Sequence, residues 1–466
     1  MSSGDLGNEA HEFVDFLKEA GQSWWQMQTV QPTGEEVSPW SVRSAMAGNP
    51  YLISPGLLYE EGLLSRQDLR QQDESVPGPL SPLIRQRQRE PLLRKAAARF
   101  YKDPVKSDSE EFAGFLEKNQ DWLPDYALFE VLADIYNDSW WANWPIGFRL
   151  RKPEFLDQAR IRYREEIRYH EFCQFLFFRQ WQRLRKACHR AGIGLIGGFP
   201  VLLPYRCADV WVEQESFRLS RRQEPVAFPA GDSGDRALYH WDRMEKAGFP
   251  WWIRRIRKLR ESFDVIYPDQ FEYLRSSDEV AAGGRREMRK RRVPGRALLR
   301  TLEESLGILP LIASTFSAPS REMDELSEEF TLPVLHVMPR GFSRTRGAFR
   351  DRPHYFKRFS VVAPVRPGQE TIREWYTDAR KQRGNPEGSQ DFPLIRETLG
   401  DSYGTVSDNL IRQSLASVAS TAIIPLQEWL KLSGTYGPDT RLAKGDLSKK
   451  AARELYQATQ AWDRTP

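Results

Sequence analysis

Leu6, Ala10, Phe13, Val14, Phe16, Leu17 and Ala20 recur at three- and four-residue intervals and stop at Gly21. That spacing predicts an amphipathic helix over 5–21, closed by a residue that tolerates the left-handed region. WWQMQTV, 24–30, follows as a short strand, and QPTGEEVSPWSVRSAMAGNPYLI reads as a long loop rich in Pro, Gly and Ser. Helical periodicity then dominates residues 57–190, as in DYALFEVLADIY and EFCQFLFFRQWQRLRKACHRAG. From Gly192 the pattern changes. Short apolar runs appear, each closed by turn residues: GIGLIGGFPVLL, FDVIYPD, ILPLIAST, LPVLHVM and FSVVAPV. Between them lie the helical stretches WWIRRIRKLRESF, SREMDELSEEF and TIREWYTDARKQR.

Strand and helix alternating at this spacing predict an α/β chain with a parallel sheet, most economically a (β/α)8 TIM barrel. The reading is one barrel over 1–466 with a mainly helical insertion at 57–190. In such barrels the chemistry sits on the loops after the strands. The residues to weigh are therefore Gly198, Tyr205, Arg206, the run Tyr267 to Glu272, Ser314, Arg340 and Arg366.

Composition narrows the partners. Lys and Arg number 68 against 64 Asp and Glu, a formal surplus of +4. That near balance argues neither for nucleic acid nor for a membrane surface. The densest basic run, RREMRKRR at 285–292, has no interleaved aromatics and is read as a solvated loop. Cys173, Cys188 and Cys207 form no CxxC, which suits a reduced, cytoplasmic protein. Six histidines without HExxH spacing predict no metal site, and no cofactor is expected. The first residues lack an apolar signal region, and no stretch reaches the length of a membrane span. Fifteen Trp suit sugar faces, although Trp more often fills a core.

GDLGNEAHEFVDFLKEAG, QPTG, SPW, AGNPYLI, DYALF, NWP, FLFFRQW, ADVW, LYHWDRMEKAGFPWWIRRI, LPLIA, EEFTLPVL and LASVASTAIIPLQEWL occur in this order. This series resembles the amylomaltases, bacterial 4-α-glucanotransferases with an α-amylase-like barrel, nearly from end to end. The resemblance implies α-1,4-glucan or maltodextrin as ligand and three catalytic acids. The nucleophile position falls on Asp269, whose usual Arg two residues earlier is Tyr267. The acid/base position falls on Ser314, and the transition-state acid position on Gly368. The strand that usually ends in G-D-x-P reads Gly197-Gly198-Phe199-Pro200. The resemblance also implies sugar contacts at Ser38 and Trp40, where the family has S-P-Y, and next at Trp211. The family's first barrel strand normally precedes G-x-G-D-L-G, and here Met1 stands just before Gly4. Either that strand is missing, which leaves two sheet edges, or it lies upstream.

Retaining transfer needs two carboxyl groups about 5–5.5 Å apart. A serine hydroxyl cannot protonate the leaving oxygen, and acid–base help is typically worth about 10²–10⁴-fold. The folding residues fit the family and the polar strand ends do not. The expectation is a pseudoenzyme that keeps the barrel together with a glucan or protein contact. One alternative is an active glucanotransferase with a rebuilt acid, for which Glu272 and Glu370 are the nearest carboxylates. The other is new chemistry on an anionic ligand held by Arg206, Arg236, Arg340 and Arg366.

Overall fold

The computed structural model describes residues 4–34, 40–73, 82–103, 105–219, 227–229, 235–274, 276–280, 288–314, 321–366, 370–383, 389–431 and 447–462. Parallel ladders join Trp24–Met27 to Gly194–Phe199 and the latter to Val265–Pro268. Single parallel bridges, Ile266 to Leu311 and Ala313 to Val334, carry the sheet across ILPLIAST. Val334–Val337 then pairs with Ser360–Ala363, and that strand with Thr421–Ala422. Seven parallel segments therefore follow one another in chain order, as a (β/α) barrel requires. Among the described residues no ladder joins Thr421–Ala422 back to Trp24–Met27.

Strand faces divide by the period of two. Ile196, Tyr267, Ile312, Leu335, Val337, Val361 and Ala363 form one buried cluster inside the sheet. Glycines in Gly194–Phe199 make room for rings. A Cβ on Gly197 would lie 2.4 Å from the Phe263 ring, and one on Gly194 2.3 Å from Trp24. Such contacts explain why residues of low strand propensity stand in a central strand.

The helical region spans the predicted insertion. Its axis is Arg164–Arg190, which buries Ile167, Phe172, Phe175, Leu176, Trp181, Leu184 and Cys188 along one face. Two buried carboxamides on this helix hold the preceding loop. Gln174 accepts from Gly48 N–H at 2.8 Å and donates to Gly48 C=O at 2.9 Å. Gln180 does the same for Ser54, at 2.7 and 3.3 Å. Gly48 has no space for a side chain, since a Cβ would lie 1.9 Å from Phe177. At the N-terminal end of the barrel, Asp264 ties that helix to the sheet. Its carboxylate accepts from Leu195 N–H at 2.8 Å and meets Arg185 at 2.8 Å and His189 at 2.9 Å.

Other elements depart from the pattern read along the chain. The run at 285–292, expected as a loop, contributes the strand Met288–Arg292, antiparallel to Ser276–Val280. MRKRR has no apolar alternation, so the period-two pattern does not reveal this strand. Residues 285–287 lie outside the described residues. Between Val334–Val337 and Ser360–Ala363 the crossover holds only 3-10 turns, at Met338–Phe342, Ala348–Asp351 and Pro353–Tyr355. Helices Gly295–Leu306, Phe392–Leu399 and Tyr403–Ala416 complete the later crossovers, the last opened by a Ser402/Thr405 capping box.

Candidate functional site

Three strand ends meet at the C-terminal mouth of the barrel. Gly198 and Tyr267 are register partners on adjacent strands. The chain turns after Pro268, and Asp269 stitches the two strands together. Its N–H donates to Phe199 C=O at 2.9 Å, and its carboxylate accepts from Val201 N–H at 2.8 Å. Phe271 N–H donates to Ser314 C=O at 2.7 Å, which draws the next strand end to the same level.

Tyr267 is buried and points into the mouth. Its ring meets Trp40 edge-on, with centroids 6.2 Å apart and planes at 74°. A Cβ on Gly198 would lie 2.8 Å from the Tyr267 hydroxyl and ring and 2.9 Å from the Trp40 ring. Two aromatic rings therefore close over the position where the resembled family carries an aspartate. No side chain fits at 198 unless both rings move. Burial pushes the Tyr267 phenol up to about 12.

Asp269 is half-buried by area but crowded by protein. Burial raises its carboxyl to about 6, against the opposing effects of the Val201 N–H, Arg236 and Arg255, and with help from the Glu272 charge. Arg236 is buried on the strand Asp235–Ala237 and donates to Trp40 C=O at 2.8 Å. Arg366 follows Ser360–Ala363. Burial and the neighbouring Arg340 lower it to about 10, while Glu272, Glu370 and Asp269 act the other way. Burial raises the Glu370 carboxyl, and Arg366 opposes that shift. Arg340 itself is turned to a fully buried acid, with Nε 2.8 Å from Asp351, and it also donates to Leu335 C=O at 2.9 Å.

The four arginines expected to gather an anion do not form one set. Arg236 acts on Asp269, and both Asp269 and Arg340 act on Arg366. Arg206 instead lies over the Trp140 ring at 5.3 Å, with Ser139 at 3.4 Å and Asp138 at 3.6 Å. Trp211, read as a sugar platform, is a correction: it is wholly enclosed. Its Nε1 donates to Phe148 C=O at 2.9 Å, and Arg151 covers its ring at 4.2 Å. Trp40 is half-buried beside Tyr267. Ser38 and Gly368 lie outside the described residues. Ser314 is buried.

Reading the chain missed Arg255. This fully buried cation donates to the carbonyls of Pro200 and Val201 and lies 5.0–5.2 Å from the rings of Phe199, Trp251 and Trp252. It fixes the turn that Asp269 also holds. Its signal was an Arg three and four residues after the Trp251-Trp252 pair, on the apolar side of WWIRRI. That side of an amphipathic helix should carry no charge unless the charge is paired or capped by carbonyls.

The mouth thus offers two carboxyls of raised pKa, Asp269 and Glu370, a phenol and several guanidinium groups. Ser314 stands where the resemblance sets the family's acid/base.

Comparison with known proteins agrees with the barrel. The family model for 4-alpha-glucanotransferases, glycoside hydrolase 77, matches residues 1–438. The chain is 31% identical over 457 residues to the 4-alpha-glucanotransferase of Synechocystis sp., covering 94% of this chain and 87% of that one. It is 30% identical over 494 residues to that of Thermus thermophilus, covering 99% and 95%. The amylomaltase from Streptococcus agalactiae, solved in complex with acarbose, superposes with a TM-score of 0.88 at 26% identity, covering 99% and 96%. With the sheet order, the helical region and these matches in agreement over nearly the whole chain, the protein belongs to the 4-alpha-glucanotransferase family.

Proposed function

We propose that this protein keeps the amylomaltase fold within α-glucan metabolism but has lost glucanotransferase turnover, and serves through contact with α-1,4-glucan or a protein partner. The observation that carries this reading is the filled mouth. Tyr267 and Trp40 occupy the space beside Gly198, so three things have changed together: an acid is gone, its space is filled, and the acid/base place holds a serine. Loss of the general acid alone removes about 10²–10⁴-fold. An absent transition-state charge removes more, because electrostatic stabilisation is usually the largest single term.

Asp269 is explained without catalysis. It pins Val201 and Phe199.

A second reading has one observation in its favour. Glu272 lies close enough to Asp269 for its charge to raise the Asp269 pKa. Two neighbouring carboxyls are what a rebuilt acid pair requires. On that reading the protein is an active 4-α-glucanotransferase, as its relatives are named.

Disproportionation of maltotriose at high protein concentration separates the two. The proposal expects no glucose or longer maltodextrin beyond that formed by Asp269→Ala. Transfer that vanishes in both Asp269→Ala and Glu272→Gln establishes the rebuilt pair and ends the pseudoenzyme reading.

A further inference from the structure

The crossover 338–359 replaces an α-helix with 3-10 turns, and its composition is unlike the rest of the chain. It carries seven Lys and Arg against one acid, a surplus of six, while the whole chain has a surplus of only four. The single acid, Asp351, is fully buried and spent on an internal anchor. It meets His336 Nδ1 at 3.0 Å and Arg340 Nε at 2.8 Å, and the His336 ring stacks on Phe356 at 4.3 Å. The anchor makes a firm base with an aromatic surface outside it. Phe349 is 40% exposed, Tyr355 52% and Phe359 57%.

Two surface cations are neutralised locally, Arg350 by Asp324 at 3.1 Å and Lys357 by Glu328. Arg346 and Arg358 are exposed and have no carboxylate partner among the described residues. The Phe349–Tyr355 ring pair, exposed on the same short segment as two guanidinium groups without a carboxylate partner, marks an interaction surface. The rings offer apolar faces to pyranose C–H groups, and the guanidinium forks match phosphate. Single-stranded nucleic acid fits less well. Phe349 and Tyr355 meet edge-on, 4.9 Å apart at 60°, which leaves no parallel slot for successive bases.

We infer that the 338–359 crossover is a docking surface for α-glucan bearing phosphate monoesters. The inference rests on the reading that the chain keeps a glucan contact, and it adds where that contact lies and what charge it takes.

The test is affinity electrophoresis of the full chain through amylopectin that has been phosphorylated, and through the same polymer after phosphatase treatment. Wild type is compared with the double variant Arg346→Glu/Arg358→Glu and, separately, with Tyr355→Ala. All three are checked for equal thermal midpoints; these side chains are exposed, so folding is expected to survive. The expected result is retardation by the phosphorylated polymer at least tenfold stronger than by the treated one, weakened by salt and lost in the double variant. Equal retardation by both polymers overturns the phosphate site while leaving a neutral glucan contact standing. No retardation by either overturns both. Tighter binding to a single-stranded oligonucleotide of matched charge overturns the glucan assignment in favour of nucleic acid. Retention of phosphate-dependent binding in the double variant places the site elsewhere and overturns the inference.

Discussion

At Asp269 one carboxylate holds two strand ends, and its protonation feeds directly into stability. Its folded pKa of about 6 lies above the ordinary value of 3.8, so the folded state binds the proton more tightly than the unfolded chain. That contribution is fully present at low pH and is lost as pH rises from about 4 through about 6. The loss approaches about 3 kcal/mol at most, at about 1.4 kcal/mol per pKa unit. Asp269→Asn keeps an acceptor for Val201 N–H and removes the titration. Relative to wild type, its unfolding midpoint should therefore rise between pH 4 and 6.5 and then level off. A flat difference across that range would show that Asp269 titrates normally. At Gly198 the expectation is steric. Gly198→Ala must displace Tyr267 or Trp40 and should destabilise by about 1–3 kcal/mol in urea unfolding, as overpacking usually does. An unchanged midpoint would mean that the rings move freely and the mouth can open.

The elements are joined by buried polar contacts whose loss has a calculable sign. Gln174→Ala leaves the Gly48 N–H and C=O unpaired in the core, and each buried orphan is worth about 1–3 kcal/mol. A destabilisation of about 2–4 kcal/mol is expected, larger than for an exposed Gln on the same helix. A change below about 0.5 kcal/mol would show that water replaces the carboxamide. Asp264 gives the opposite pH sign to Asp269. Burial pushes its carboxyl up, but Leu195 N–H, His189 and Arg185 outweigh burial and hold it below the usual range. Its contribution is present above the unfolded pKa and fades as pH falls through the folded one. Asp264→Asn should therefore be destabilised at pH 7 and converge towards wild type as the solution is acidified.

For the whole molecule, the strand Trp24–Met27 is the main liability. Among the described residues it has one hydrogen-bonded neighbour, and Trp24 is 40% exposed. Unpaired parallel edges recruit other chains unless charge or cover prevents it. Trp24→Lys should lower the aggregated fraction after concentration, measured by light scattering, without changing the far-UV spectrum. Equal aggregation would locate association elsewhere, such as on the exposed Ile146 and Ile161 surface.

Apolar periodicity by itself pointed to the α/β class, to the helical stretch before residue 190 and to the strands between Gly194 and Ala363, because period two and period 3.6 are local properties of the chain. The hairpin Ser276–Val280/Met288–Arg292 escaped that reading, since its second strand carries no apolar alternation. Arg255 escaped because the two carbonyls and the Phe199 ring that shelter it come from a turn some fifty residues earlier in the chain. The resemblance sets Gly198 and Ser314 at strand ends where the family has acids. What stands beside Gly198 is a matter of tertiary structure alone. Gly198, Tyr267 and Trp40 come from three separate segments, and the conflict between a side chain at 198 and two rings exists only once the parallel register sets them side by side. The same holds for Asp269, whose raised pKa is a property of the crowd around it rather than of its neighbours in the chain.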